Sequence, residues 1–527
     1  MKLLWQKRIV LLLIILGVAL WLWGINYPFV GIYNTNNNYL SLAAKNYLRF
    51  GVWNLKLFPT YFAGEHFLPG GAYYLHHPIL IYLLEALSVF VLGTADWVIH
   101  APHVLFTIGS MGMIYVIARK LWSQKVALWS LGLAVIFPMT GFFWKYMLFE
   151  QECLFFNLVV YYFVICFARK PKPRYLVAIF FATLLSGFVD WGVLYLLFPF
   201  IIFFFTKFGR RLKPAFIVYV AGTLLSLGLF LFGVLILQKG FDELFSAIWS
   251  RSYTAELVSL SYWPARLFAV SFIRTILYFS PFAIVSGVYI VKLIGHRESW
   301  KLPDITLVFF FLFGLLNLIF LPTATWGHSY FLYYFIPFFA WAGGVWLERR
   351  EKKPWVIWFW VFVLIGTSVV VNYFKIEQVK KQLWKYDVAV QINKKLEPYE
   401  IVGVVNFAGD VFENYFFHPS QPIRYTGLAS WMTGVDYPGV THAVFVCAGT
   451  CTEGELQEVE RVKGSSIVET YSAGGNQAWF ITKQLAKQKT TEIVDTITPS
   501  IQTSVKEGSI FLRWYRAVRD ALNVGQI

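Results

Sequence analysis

Eleven times in its first 373 residues this chain runs apolar for about 17–25 residues, the length an α-helix needs to cross a bilayer. The runs fall near residues 8–28, 99–121, 124–143, 152–168, 174–190, 191–206, 215–237, 268–291, 303–322, 329–347 and 354–373. Of the 527 residues 58% are hydrophobic and only 14% are charged, against about half and a quarter in soluble domains. A chain this apolar cannot hide its surface in one core, so lipid must solvate much of it. The net charge of +16 does not point to nucleic acid. The cations gather in short clusters between apolar runs, as topogenic loops do.

Those clusters fix an orientation. Arg119, Lys120 and Lys125, then Arg169 to Arg174, Lys207 to Lys213, Lys292 to Lys301 and Arg349 to Lys353 all lie between alternate runs. With Lys2, Lys7 and Arg8 they put the N-terminus in the cytoplasm. The first run is too long for a signal-peptide core and lacks a small-x-small cleavage site, so it reads as an uncleaved anchor. Residues 77–93 resemble a further span, but counting them would reverse every later loop. The segment is short and carries Glu85, and it reads as an interfacial or re-entrant helix on the outer side. The chain is thus predicted to be an α-helical polytopic membrane protein of about eleven transmembrane helices, with everything after residue 373 outside. Large outer loops span 29–98 and 238–267. In the second, Phe241, Leu244, Phe245, Ile248 and Trp249 recur at helical spacing, which predicts a helix lying in the membrane interface.

Beyond residue 375 the composition becomes that of a water-soluble unit. A helical stretch (376–396) precedes strand-like runs at 401–405, 442–446 and 478–481, which suggests a small extracytoplasmic α/β domain. No glycine-rich phosphate fingerprint opens a helix there, so no nucleotide is assigned. Arg513, Arg516 and Arg519 among Phe511, Leu512 and Trp514 read as a basic amphipathic helix in the tail. The expected division is a membrane domain over 1–374, the α/β domain over 375–485 and the tail over 486–527. Cys153 and Cys166 read as packing residues. For Cys447 and Cys451 a local disulfide and two free thiols both stand open.

Ionisable groups near span ends are functional candidates, because burying them is costly. On this map they converge on the outer side. Asn36, Asn37, Glu65, His76 and His77 lie in the first loop, and Lys145, Glu150 and Glu152 around the second outer turn. Asp190 ends a span, Arg266 and Arg274 come from the fourth outer turn, and His328 and Tyr330 lie in the fifth. Structural readings stand beside each. Glu150 and Glu152 suit a helix N-terminus, where carboxylates meet the dipole. Asp190-Trp191 suits a tight turn, and His76-His77-Pro78 a helix start. The adjacent histidines are also the pair on which a divalent-metal site would be built, given further ligands. Arg274, two turns into its span, either snorkels or binds an anion.

In order along the chain, several elements resemble the GT-C membrane glycosyltransferases, in particular the protein O-mannosyltransferase and aminoarabinose transferase group. They are Asn36-Asn37 followed by Ala44-Lys45-Asn46 and Gly51, then Leu75-His76-His77-Pro78-Ile79-Leu80, Ala101-Pro102, the acidic helix start at Glu152, and His328 through Pro337. The resemblance covers about residues 1–350. It implies transfer of a sugar from a polyprenyl-phosphate donor to a glycan, lipid or protein acceptor outside the cytoplasm, usually with inversion. Glu150 or Glu152 would then act as base or orienter. Arg274, with Arg266 or Lys145, would hold the phosphate. His328, Tyr330, Tyr334, Asp190 and His77 would line the substrate site, and the partners would be the lipid-linked donor and membrane lipid, not nucleic acid. One departure matters. Asn36-Asn37 stand where the family carries acidic residues, and an amide cannot serve as a base, so Glu65, Glu150 or Glu152 must take over. Two other functions remain open: a silent envelope assembly or binding protein on the same scaffold, and a lipid or polysaccharide transporter.

Overall fold

The computed structural model of the chain describes residues 2–31, 34–61, 73–93, 95–204, 209–237, 244–246, 263–296, 300–397, 400–405, 415–416, 421–424, 428–433, 440–447, 451–473 and 476–483. Apart from the helical residues 244–246, the interfacial helix expected at 241–249 lies outside them, as does the basic tail helix.

Long apolar runs become helices because a backbone in lipid must satisfy its own hydrogen bonds. In chain order the helices begin with α1 (Lys2–Leu22), the amphipathic α2 (Asn34–Phe50) of the first outer loop, α3 (Leu80–Leu92), α4 (Asp96–Leu121), α5 (Gln124–Ile136) and α6 (Pro138–Phe143). Next come α7 (Phe149–Arg169), α8 (Pro173–Val189), α9 (Gly192–Tyr195), α10 (Leu197–Phe204) and α11 (Gly209–Ile236). After the fourth outer loop follow α12 (Trp263–Phe279), α13 (Phe282–Gly295), α14 (Leu302–Phe320), α15 (Pro322–Gly327), a 3-10 turn (Ser329–Phe335), α16 (Ile336–Arg349) and α17 (Pro354–Lys380). Among the described residues seven helices have the length and apolarity to cross a membrane, or eight if the pair α12–α13, bent by 115°, makes one span. The other expected spans are shorter or broken. The 124–143 run is interrupted before Pro138, which starts α6 at the position where its missing N–H costs nothing. The 191–206 run divides into α9 and α10.

Two poles are visible. Gln6 donates to the Lys125 carbonyl (2.7 Å), Lys125 pairs with Glu351 (2.6 Å), and Arg211 donates to the Arg169 carbonyl (3.0 Å). The basic clusters thus meet at one end of the bundle. α7 starts at the other end and needs 21 residues, roughly 30 Å, to reach them. α3 belongs to that second pole. It is 13 residues long, short of the ~20 a span requires. It folds back on the first turns of α4 as a hairpin, with Ser88 donating to the Val98 carbonyl (2.8 Å) and Glu85 facing His103.

The C-terminal sheet has strand order β2-β1-β3-β5-β4, with β1 (Ile401–Val405), β2 (Gln421–Arg424), β3 (His442–Cys447), β4 (Ser466–Ala473) and β5 (Asn476–Lys483). β1 runs parallel to β2 and β3, whereas β5 is antiparallel to β3 and β4. Alternation at period two gives it two apolar faces. Val402, Val404, Val444 and Phe480 pack with α18 (Leu383–Asn393), which carries Val388 and Ile392. Val405, Phe445 and Trp479 pack with α19 (Leu428–Thr433) and α20 (Glu453–Lys463) through Leu428, Trp431, Val459 and Val462. Cys447 and Cys451 are free thiols. The domain touches the membrane helices through Tyr415, whose ring lies 5.2 Å from Phe29 and 4.4 Å from the Lys45 ammonium.

Candidate active site

The pole opposite the basic loops holds a cavity of about 820 Å³. Its polar wall is made by Asn36, His76, His77, Glu150, Asp190 and His328, and its apolar wall by residues such as Leu194, Leu227, Leu231 and Leu321.

Two dipeptides grip each other at its floor. α8 ends at Asp190, in extended backbone, which turns the carboxylate out of the helix and toward the loop before α3. Asp190 Oδ1 lies 3.0 Å from His77 Nδ1, and the Trp191 indole donates to the His76 carbonyl at 2.8 Å. The other Asp190 oxygen accepts from the Tyr334 hydroxyl at 3.3 Å. Gly192 makes this turn possible: a Cβ there would stand 2.7 Å from both Cys153 Sγ and the Tyr334 hydroxyl. His77 is also stacked on Phe149, ring centres 4.0 Å apart and planes 7° from parallel. A carboxylate on one nitrogen and a ring on one face fix the imidazole's orientation.

Glu150 follows Phe149 on the first turn of α7. It is 3% exposed, and its Oε2 has no hydrogen-bond partner among the described residues. Such an oxygen is costly to bury and retains full capacity to accept a proton or a hydrogen bond. His328 and Tyr330 stack at 4.9 Å on the far wall. Tyr39, Tyr61 and Tyr74 form an aromatic patch with centroids 4.4 to 6.2 Å apart.

The other residues singled out in the sequence go elsewhere. Asn37 is buried, and its side-chain oxygen accepts from the Met147 amide at 2.8 Å, tying α2 to the turn that precedes α7. Lys145 lies in that turn and donates to the Gly24 carbonyl. Burial pushes its ammonium down to about 8. Arg274 donates to the Thr325 carbonyl at 2.8 Å, bracing α15 beside His328. Neither cation is among the cavity-lining residues. Tyr334 reaches the site only through Asp190. Glu65 and the Arg266 side chain lie outside the described residues. No three His, Cys, Asp or Glu side chains among the described residues are grouped to hold a metal ion.

Glu152 faces away from the cavity into a fully buried triad. His103 Nε2 lies 2.6 Å from Glu85 Oε1, and its Nδ1 lies 2.9 Å from Glu152 Oε1. Sequence reasoning used Glu85 only to argue against a span and passed over His103. The available signal was that each lies within an apolar run, where an ionisable group requires a partner.

Comparison with known proteins bears on the fold. Residues 76–235 match the dolichyl-phosphate-mannose-protein mannosyltransferase family. The structure is similar to that of ArnT from Cupriavidus metallidurans bound to undecaprenyl phosphate, at 13% sequence identity and a TM-score of 0.61, covering 90% of this chain and 98% of that one. The apo state of the same ArnT gives 12% identity and a TM-score of 0.60, covering 90% and 97%. No curated protein sequence matches the chain significantly. The protein is therefore a multi-pass membrane protein with the GT-C glycosyltransferase fold and a small C-terminal sheet domain.

Proposed function

We propose that the protein transfers a sugar from a polyprenyl-phosphate donor to an acceptor hydroxyl on the extracytoplasmic side of the membrane, with inversion. The observation that carries this reading is the Glu150 carboxylate, buried at the wall of a large cavity beside the fixed His77–Asp190 pair, with one oxygen that has no hydrogen-bond partner among the described residues. In the reaction the acceptor oxygen forms a bond to the anomeric carbon as the bond from that carbon to the phosphate oxygen breaks. The polyprenyl phosphate leaves with the electron pair, and Glu150 takes the acceptor's proton. Attack from the face opposite the leaving phosphate inverts the centre. The described lining offers imidazole N–H groups of His76, His77 and His328 for the developing phosphate charge. A second, apolar groove of about 300 Å³ is walled by Phe268, Phe272, Phe311 and Leu318. It shares the 317–335 segment with the main cavity and suits an isoprenoid tail. The gathering of the basic loops at the opposite pole supports an extracytoplasmic cavity.

The test is a transfer assay on protein reconstituted in lipid, with polyprenyl-phosphate mannose as first donor. Release of polyprenyl phosphate by the wild type, lost in Glu150→Gln, is expected. Undiminished turnover in the double variant Glu150→Gln, Glu152→Gln would remove the carboxylate base from the mechanism. A silent binding protein is the second reading, favoured by the amides Asn36 and Asn37. It requires that donor binds and is never consumed.

A further inference from the structure

We propose that His103 is a positioning residue for the transfer site: it sets the meeting of the Phe149–Glu150 turn with the His76-His77 loop. This rests on the reading of Glu150 as base. The triad of Glu85, His103 and Glu152 joins three helices, and all three side chains are fully buried. Two buried carboxylates without a partner would be strongly destabilising, and the one imidazole placed between them engages an oxygen of each. Its two partners each belong to an element that carries a site residue. Glu85 is on the helix that the His76-His77 loop opens, and Glu152 is two residues past Glu150. At about 100° per residue, Glu150 and Glu152 point to opposite sides of α7. Holding Glu152 against α4 therefore aims Glu150 at the cavity. The segments 77–85 and 149–152 are thus tied twice, directly by the His77–Phe149 stack at 4.0 Å and through His103 of α4 by the triad. A small error in the triad would be passed to the separation of Glu150 from the His77–Asp190 pair. Misplacement by about 1 Å at a reacting group can cost on the order of a hundredfold in rate.

The experiment compares wild type, His103→Leu and His103→Gln in lipid, by steady-state transfer from polyprenyl-phosphate mannose and by amide hydrogen exchange. His103→Leu is expected to lower kcat by roughly 30-fold with KM for the donor within about threefold. Exchange should quicken in peptides covering 73–79 and 147–155, and not in β3. His103→Gln, which still donates and accepts, should recover most of both. A wild-type kcat per folded molecule in His103→Leu, or quickening spread evenly over the helices, would make His103 merely structural and overturn the proposal. Unchanged exchange in both peptides would overturn it too. Should the wild type leave the donor intact, the transfer reading falls, and the exchange pattern alone then decides whether His103 positions this turn.

Discussion

The first turn of α7 and the first turn of α20 both carry two glutamates, yet they spend them differently. In α20 Thr452 is the N-cap, and it and Glu455 bond reciprocally: Glu455 accepts from the Thr452 amide at 2.7 Å, and its own amide reaches the Thr452 hydroxyl at 3.3 Å. This is a capping box, on a helix exposed to water. In α7 the N-cap is Leu148, with no side-chain cap bond. Glu150 and Glu152 are instead buried on opposite sides, one at the cavity and one in the triad. Acidic residues at a helix start are a capping signature only where solvent meets that start. Inside a packed bundle the same letters mark sites that the helix itself does not need.

The largest break in this comparison should come from Glu150. Replacing it with Gln should lower transfer by about 10²–10⁴-fold, the usual contribution of a general base, while the helix keeps its stability because no cap is lost. Glu455→Gln should leave transfer untouched. If Glu150→Gln instead lowered the melting temperature and kept kcat, Glu150 would be doing what Glu455 does.

Asp190 comes next. Asn in its place keeps the size but loses the charge that orients His77, and a fall of roughly tenfold or more in kcat is expected from the misplaced ring. His77→Gln combined with Asp190→Asn should cost little beyond either single change, since the two act as one unit. Additive losses in such a double-mutant cycle would show that they work separately.

How much of this was legible in the sequence depends on what each residue's role rests on. Span length and loop charge are local, so the polytopic fold could be read directly, as could the shortness of the apolar segment that forms α3, a helix of 13 residues. His77, Asp190, Glu150 and His328 could be singled out because they stood near span ends. Their pairing could not, because His77 and Asp190 stand 113 positions apart in sequence and only tertiary packing brings them together. Lys145 and Arg274 were expected to hold the phosphate because the resemblance calls for cations there; each donates to a backbone carbonyl, and neither lines the cavity. The Glu150–Glu152 distinction was available in principle, since a helix turns two such residues to opposite sides, but which side holds the cavity is set by α4. In the sheet domain β2 and β4 were missed: one is four residues long and contains Pro422, and the other mixes Glu469 and Thr470 into its apolar pattern.

Gly192 tests the same division at the level of packing. Ala there must push aside Cys153 or Tyr334, an overpacking expected to cost about 1–3 kcal/mol. Because Tyr334 holds Asp190, the thermal shift should be accompanied by a loss of kcat. Gly464→Ala after α20, where an added Cβ meets nothing within 4 Å, should produce neither.

The smallest effect belongs to the α20 cap. Thr452→Ala should weaken it by about 1 kcal/mol, read as faster amide exchange in residues 453–456. Hydrogen bonds from the Thr452 amide and hydroxyl hold the Glu455 carboxyl below its usual value. A carboxylate depressed in the folded state gives its stabilisation in full above the unfolded value, near 4.3, and loses it as pH falls through the folded one. The protection of the amides at this helix start, taken relative to their intrinsic exchange rate at each pH, should therefore fall on acidification from about pH 5 downward in the wild type. Glu455→Gln, which can still cap but does not titrate, should remove that dependence. If the acid-induced change survived in Glu455→Gln, the titrating group would lie elsewhere, and the contrast between a glutamate that caps and one that faces a cavity would have to rest on Glu150 alone.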